Sequence, residues 1–273
     1  MNGAIGEAVV DLGISGRVAL VSGGSRGLGR ATAERLAAEG VRVVIAARDP
    51  QAIEETISTI EGRGGQVAGV SADMTTAEGV DSAVRTAHDR FGSPDIAIAN
   101  VHSPRDGNFF EVDEDDFHAA FQGLTISIAL LARAVLPAMK EKGWGRFVNL
   151  GSGSAKEPPR ELRHILGNTA RASGVTLCKS LANEFGPHGV TVNSIGTGLF
   201  RTGFMEDFFD RLADEEGVER EAAIDAWCEG LPMRRPGRPE EMAAVCAFLC
   251  SEGAGYLTGQ MITVDGGFGR SAW

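Results

Sequence analysis

The chain is poor in what it would need to hold nucleic acid, a zinc ion or a disulfide framework. Its 273 residues carry 26 Lys and Arg against 37 Asp and Glu, a formal net charge of -11. A surface short of cations cannot displace the counterions of a phosphate polymer or an anionic membrane, so a small molecule is the expected partner. The four cysteines, Cys178, Cys228, Cys246 and Cys250, have neither CxxC spacing nor the density of a secreted scaffold. They read as reduced thiols, with Cys246 and Cys250 four apart on the buried side of a helix. The opening MNGAIGEAVVDLGISG lacks a basic stretch followed by an apolar run, and no segment approaches the roughly 20 apolar residues of a membrane span, so a cytoplasmic location without membrane contact is expected. Nor does any repeat, low-complexity tract or linker divide the chain, and residues 1–273 read as one domain.

What the chain does have is a regular alternation of short apolar runs with amphipathic stretches. RVALVSG precedes RATAERLAAEG, VRVVIAAR precedes PQAIEETISTIEGRG, and QVAGVSAD precedes AEGVDSAVRTAHDRFG; DIAIAN, RFVNLGS, VTVNSIG and MITVDGG follow. This is the pattern of βαβ units, and it predicts an α/β doubly wound domain of Rossmann type with a seven-stranded parallel sheet and helices on both faces. A helix is expected from about Thr169 to Phe185. The acidic stretch from Gly203 to Gly230, with Phe204, Phe208, Phe209 and Trp227, follows a late strand. Ligands bind at the carboxyl ends of such strands, which suits the stretch to be a substrate lid, a plain helical hairpin being the alternative.

Directly after the first apolar run stands Ser22-Gly23-Gly24-Ser25-Arg26-Gly27-Leu28-Gly29, leading into an Ala-rich helix. Glycines there let the backbone approach a pyrophosphate, which the amides and dipole of the helix N-terminus then hold. At the end of the second run an acid would accept hydrogen bonds from the ribose 2'-hydroxyl of NAD, and the chain instead has Ala47, Arg48 and Asp49. Arg48, with Arg26 in the glycine loop, favours a 2'-phosphate and hence NADP(H), while Asp49 leaves NAD(H) open.

On these residues the sequence resembles the short-chain dehydrogenase/reductases over nearly its whole length. Gly23, Gly27 and Gly29 match the TGxxxGxG of that family with Ser22 for Thr, and Ser25, Arg26 and Leu28 lie within it. Asp73, followed by Met74, matches the acid that holds the adenine ring. The run from Gly145 to Ser152 resembles GRIVNxxS, Asn193, Gly198 and Thr202 match the segment that touches the nicotinamide amide, and RRPGRPEEMAAVCAFL with YLTGQMITVDGG resembles the family's tail. The resemblance implies a homo-oligomer, a tetramer, and an oxidoreductase acting on a carbonyl, alcohol or activated alkene.

The catalytic pattern departs from the family. NNAG becomes Ala99-Asn100-Val101-His102, the helix asparagine falls on Leu124, and YxxxK falls on Gly167-Asn168-Thr169-Ala170-Arg171. The only tyrosine, Tyr256, belongs to the tail motif. Of the catalytic set only Ser152 is kept, to hydrogen-bond a substrate oxygen. Arg171 can bind the ribose hydroxyls and supply charge, but a guanidinium holds its proton too tightly to donate it near neutrality. His164 and His102 are the candidate acids, since each titrates in the right range and falls near the substrate pocket of relatives. His88, His118 and His188 carry no such signal. Two other functions stay open on the same scaffold: a silent NADP(H)-binding sensor and a non-redox enzyme.

Overall fold

The computed structural model describes residues 11–101, 104–160 and 162–271. Seven parallel strands, β1 (Val18–Ser22), β2 (Arg42–Ala47), β3 (Val67–Ser71), β4 (Ile96–Ala99), β5 (Gly145–Leu150), β6 (Val190–Thr197) and β7 (Met261–Val264), form one sheet in the order β3-β2-β1-β4-β5-β6-β7. The central strands read as unbroken apolar runs because helices cover both of their faces; all five residues of β1 and all four of β4 are buried. One face carries α1 (Gly27–Ala38), α2 (Pro50–Gly62) and α9 (Pro239–Leu249), whose Leu36, Ile53, Ile60 and Met242 meet Val21, Ile45 and Ile98. The other carries α3 (Ala77–Arg90), α5 (Ser127–Lys142) and α6 (Ile165–Phe185), whose Val80, Leu131 and Cys178 meet Leu20, Val44 and Phe147. The chain winds outward from β1 in one direction and from β4 in the other, so their carboxyl ends open a crevice where no connection crosses.

Two sequence expectations are corrected here. First, α6 starts at Ile165 rather than near Thr169, because Leu166 and Ala170 bury their side chains and carry the helix through Gly167. Second, one continuous helical stretch, 114–142, is long and apolar enough by length and composition to cross a membrane. It joins α4 (Glu114–Phe121) to α5 through a π turn at Gln122–Ile126, and its Ile128, Leu131, Val135 and Met139 are packed against the sheet, which makes it a core helix of this fold. The stretch from Gly203 to Gly230 forms two packed helices, α7 (Gly203–Glu216) and α8 (Arg220–Cys228). They have a core of their own in Phe209, Ile224, Cys228 and Leu231, with Phe208 set edge-on to Trp227 at 5.3 Å between centroids.

Candidate active site

The turn after β1 is stitched to the end of β4. Ser22 Oγ donates to the Asn100 carbonyl at 2.7 Å, and Asn100 Nδ2 donates to the Gly23 carbonyl at 3.3 Å. Gly23 has φ +61°, and a Cβ on it would stand 2.6 Å from Asn100 Nδ2. At Gly29 a Cβ would stand 2.1 Å from the Gly23 carbonyl oxygen. The first turn of α1 therefore lies directly on the loop, and no side chain at the N-cap, Arg26, closes off its amides. Ser25 is buried, its carbonyl accepting from Thr56 Oγ1 at 3.2 Å, while Leu28 packs on the core and its carbonyl accepts from Thr32 Oγ1. Thr202 comes to this loop from the start of α7, its Cγ2 3.4 Å from where a Gly27 Cβ would be.

The charges at the end of β2 are tied together. Asp49 caps α2, accepting from the amides of Gln51 and Ala52, and its second oxygen takes Arg26 Nη2 at 2.6 Å. The Arg26 hydrogen bond, helped by that of Ala52, holds the Asp49 carboxyl below its ordinary range. Arg26 is thus steered toward the end of β2, next to Arg48. The Thr75 amide and hydroxyl both donate to Asp73 and lower its pKa, and the nearby charge of Arg48 adds to the effect.

Deeper in, one cavity is lined by Ser22, Met74, Asn100, Leu124, Asn149 and Arg171, among others. A smaller neighbour is lined by Pro104, Arg105, Asp106, His164, Gly167 and Arg171. Arg171 belongs to both. It is half-buried, and loss of water around its guanidinium lowers its pKa from the free value, with Asp106 opposing. A Cβ on Gly167 would stand 2.8 Å from Arg171 Nη1, so the missing side chain at 167 is what seats the guanidinium. One turn on, Gly174 permits the π turn to close on α6; its Cβ would lie 2.6 Å from the Leu124 carbonyl oxygen. That turn puts Leu124 in the cavity wall.

His164 precedes α6 and places Nε2 2.8 Å from Asp106 Oδ1. The segment carrying Asp106 is strapped over it: the Gly107 amide donates to the Arg163 carbonyl at 2.6 Å, Arg163 pairs with Glu111, and Arg105 pairs with Asp116. Burial pushes the His164 pKa below its ordinary value, Asp106 opposes this, and Arg171 adds to it.

Met74 and Asn100 line the larger cavity with Arg171, and His164 lines the smaller one with Arg171. Ser152 stands apart from both cavities, its hydroxyl donating to the Thr197 carbonyl at 3.4 Å and accepting from the Ser154 amide. His102 lies outside the described residues. Sequence reasoning missed Asp106, Asn149 and the room made by Gly167. The last was legible, since a glycine four residues before an arginine on one helix face leaves space for that side chain. Among the described residues, no group of three or more His, Cys, Asp or Glu is placed to hold a metal ion.

The uncapped α1 amides and the glycine cradle that a Cβ would fill fit a bound dinucleotide. The model of the family described as enoyl-(acyl carrier protein) reductase matches residues 23–269. The short-chain reductase protein NovJ of Streptomyces niveus is 32% identical over 262 residues, 96% of this chain and 97% of NovJ. The chain belongs to the short-chain dehydrogenase/reductase family. Among solved structures, L-sorbose reductase from Gluconobacter frateurii, complexed with NADPH and L-sorbose, superposes with a TM-score of 0.92 at 30% identity, over 96% of this chain and all of that one. A 7α-hydroxysteroid dehydrogenase complexed with NADH does so with a TM-score of 0.83 at 26% identity, over 94% and 96%. As a family member the chain is an oxidoreductase of the Rossmann type, and both nicotinamide cofactors occur among its structural neighbours.

Proposed function

We propose that this short-chain reductase uses NADP(H) to reduce a small carbonyl compound or activated alkene through an altered catalytic set, in which Gly167 and Arg171 stand at the positions of the family's tyrosine and lysine. The observation that carries this reading is the partly buried guanidinium of Arg171, shared by the cavity at the carboxyl ends of β1 and β4 and by the smaller cavity beside it. Bound NADPH supplies the hydride. Gly23, Ser25, Gly27, Leu28 and Gly29 would hold its pyrophosphate, Asp73 and Met74 its adenine, and Thr202 its amide end. Arg171 would bind its ribose and steady negative charge on the substrate, helped by Ser152 once its weak internal bonds are exchanged for a substrate oxygen. The helix pair α7 and α8, joined to the glycine loop at Thr202, serves as the lid. The description of the matching family model agrees with alkene reduction, and the NADPH bound to L-sorbose reductase agrees with the cofactor. Several copies assembled in the cytoplasm complete the reading; exposed Phe121 and Ile126 on the helix 114–142 suit such contacts.

Cofactor choice is tested by removing the cations. In Arg26→Ala/Arg48→Ala the dissociation constant of NADPH, followed by energy transfer from tryptophan, should rise roughly 10- to 100-fold, the loss of one or two charge-assisted bonds, while that of NADH changes little. Equal weakening of both would transfer preference away from the 2'-phosphate.

If His164 is the acid for carbonyl substrates, its lowered pKa sets the pH dependence. The imidazole is neutral at pH 8 and gains its proton only below about 6.5. Reductive kcat/KM on a ketone should therefore climb as the pH falls through that region, and His164→Gln should flatten the profile. The same shift helps the folded state above about pH 6.5 and withdraws that help as the pH falls toward the lowered value, because the unfolded chain then binds the extra proton.

A further inference from the structure

We infer that Arg171 is an oxyanion receptor for an enolate, and that the substrates this site turns over are α,β-unsaturated carbonyl compounds rather than isolated ketones. The inference rests on the NADP(H) reductase reading and narrows its substrate class. Its basis is the juxtaposition of Gly167 and Arg171. The guanidinium lies where any side chain at 167 would begin, 2.8 Å from the position of a Cβ, and it walls both cavities. A hydrogen-bond donor that keeps its proton thus occupies the start of the path that a hydroxyl-bearing side chain at 167 would follow.

The two substrate classes place different demands on such a donor. Hydride addition to a ketone leaves an alkoxide, a strong base that must receive a proton on oxygen in the site. Hydride addition to the β-carbon of an enone breaks the C=C π bond, forms a C–H bond and moves the electron pair onto the carbonyl oxygen. The resulting enolate is a much weaker base with spread charge. A guanidinium N–H stabilises it by a charge-assisted hydrogen bond, and the α-carbon takes its proton from water afterwards. The cofactor leaves as NADP+, and one hydride and one proton have been added across the double bond. The other charged groups lining the smaller cavity are Arg105, paired with Asp116, and His164, whose Nε2 meets Asp106, the carboxylate that also acts on Arg171.

The first test reads binding and not turnover. The full chain, with and without NADP+, is titrated with 4-nitrophenol, an enolate-like oxyanion, and the phenolate absorbance is followed against pH. The bound phenol should have its pKa lowered by at least about one unit, a tenfold preference for the anion. Arg171→Gln should remove that preference. Gly167→Ala should reduce it, with Tm within about 2 °C of the parent, because its methyl pushes aside the movable end of the Arg171 side chain. An unshifted phenol pKa in the parent, or a shift that survives Arg171→Gln, overturns the inference whether or not NADP+ binds. The second test compares NADPH oxidation on cyclohexenone and cyclohexanone in D2O. The enone should be favoured about 100-fold or more, with solvent deuterium at the α-carbon. Faster turnover of the ketone overturns the substrate class while leaving the reductase reading intact, whereas failure of NADPH to bind would refute that reading and leave the phenol result to judge Arg171.

Discussion

Gly29→Ala is expected to abolish NADPH binding and to destabilise the fold by roughly 3 kcal/mol, the upper part of the range for forcing a methyl into a filled space. The new Cβ would stand 2.1 Å from the Gly23 carbonyl oxygen and 2.8 Å from its carbon. Both are backbone atoms, so no rotamer change relieves the contact and the loop itself must open. Opening it moves Gly23 off Asn100, whose Nδ2 would be 2.7 Å from the same methyl. The α1 amides then no longer face a formed cradle, and the dissociation constant should rise beyond 100-fold. Gly62→Ala at the end of α2 is the control, since nothing lies within 4 Å of its Cβ. There the usual helical preference for alanine should leave stability unchanged or raised by about 0.5–1 kcal/mol. Urea unfolding and NADPH titration of the two variants decide the matter: a Gly29→Ala protein that binds NADPH like the parent would refute the cradle.

The sheet was readable because burial on two faces writes itself as uninterrupted apolar runs such as Val18–Val21 and Ile96–Ala99, and the helices between them keep a one-sided pattern. The glycine loop was readable for a local reason too: its conformation needs glycine at fixed offsets. The dyad of His164 and Asp106 was not, since the two residues are far apart in sequence and meet only because the segment leaving β4 folds back beside the start of α6. Ser152 shows the converse. Its motif is intact, yet its hydroxyl is engaged with Thr197 and Ser154, which only the geometry reveals. The onset of α6 was misplaced because Gly167 and Asn168 are weak helix formers that tertiary packing of Leu166 and Ala170 overrides. The π turn at Gln122–Ile126 left no mark in composition at all.

Gly167→Tyr/Arg171→Lys is expected to raise NADPH-dependent reduction of isolated ketones by about 100-fold over the parent, the lower end of what a positioned general acid contributes. Neither single substitution should do so. A tyrosine at 167 must pass through the space that the Arg171 guanidinium holds, so in Gly167→Tyr ring and guanidinium displace each other. Arg171→Lys clears the space but brings no hydroxyl. Only together do they place a phenol beside an ammonium, whose charge draws the phenol pKa down from about 10 toward a value useful near neutrality. The two changes share one volume and one charge, and their combined effect should therefore exceed the sum of the separate ones. Leu124 stays in the cavity wall in every variant, so the comparison isolates the pair on α6. Enone turnover should move the other way, because the ammonium is a point donor at a shorter reach than the guanidinium it replaces. Steady-state rates on a matched ketone and enone, taken for the parent, both singles and the double, give the result. A double variant that folds, binds NADPH and reduces ketones no faster than the better single would mean that positions 167 and 171 do not set the proton chemistry of this site.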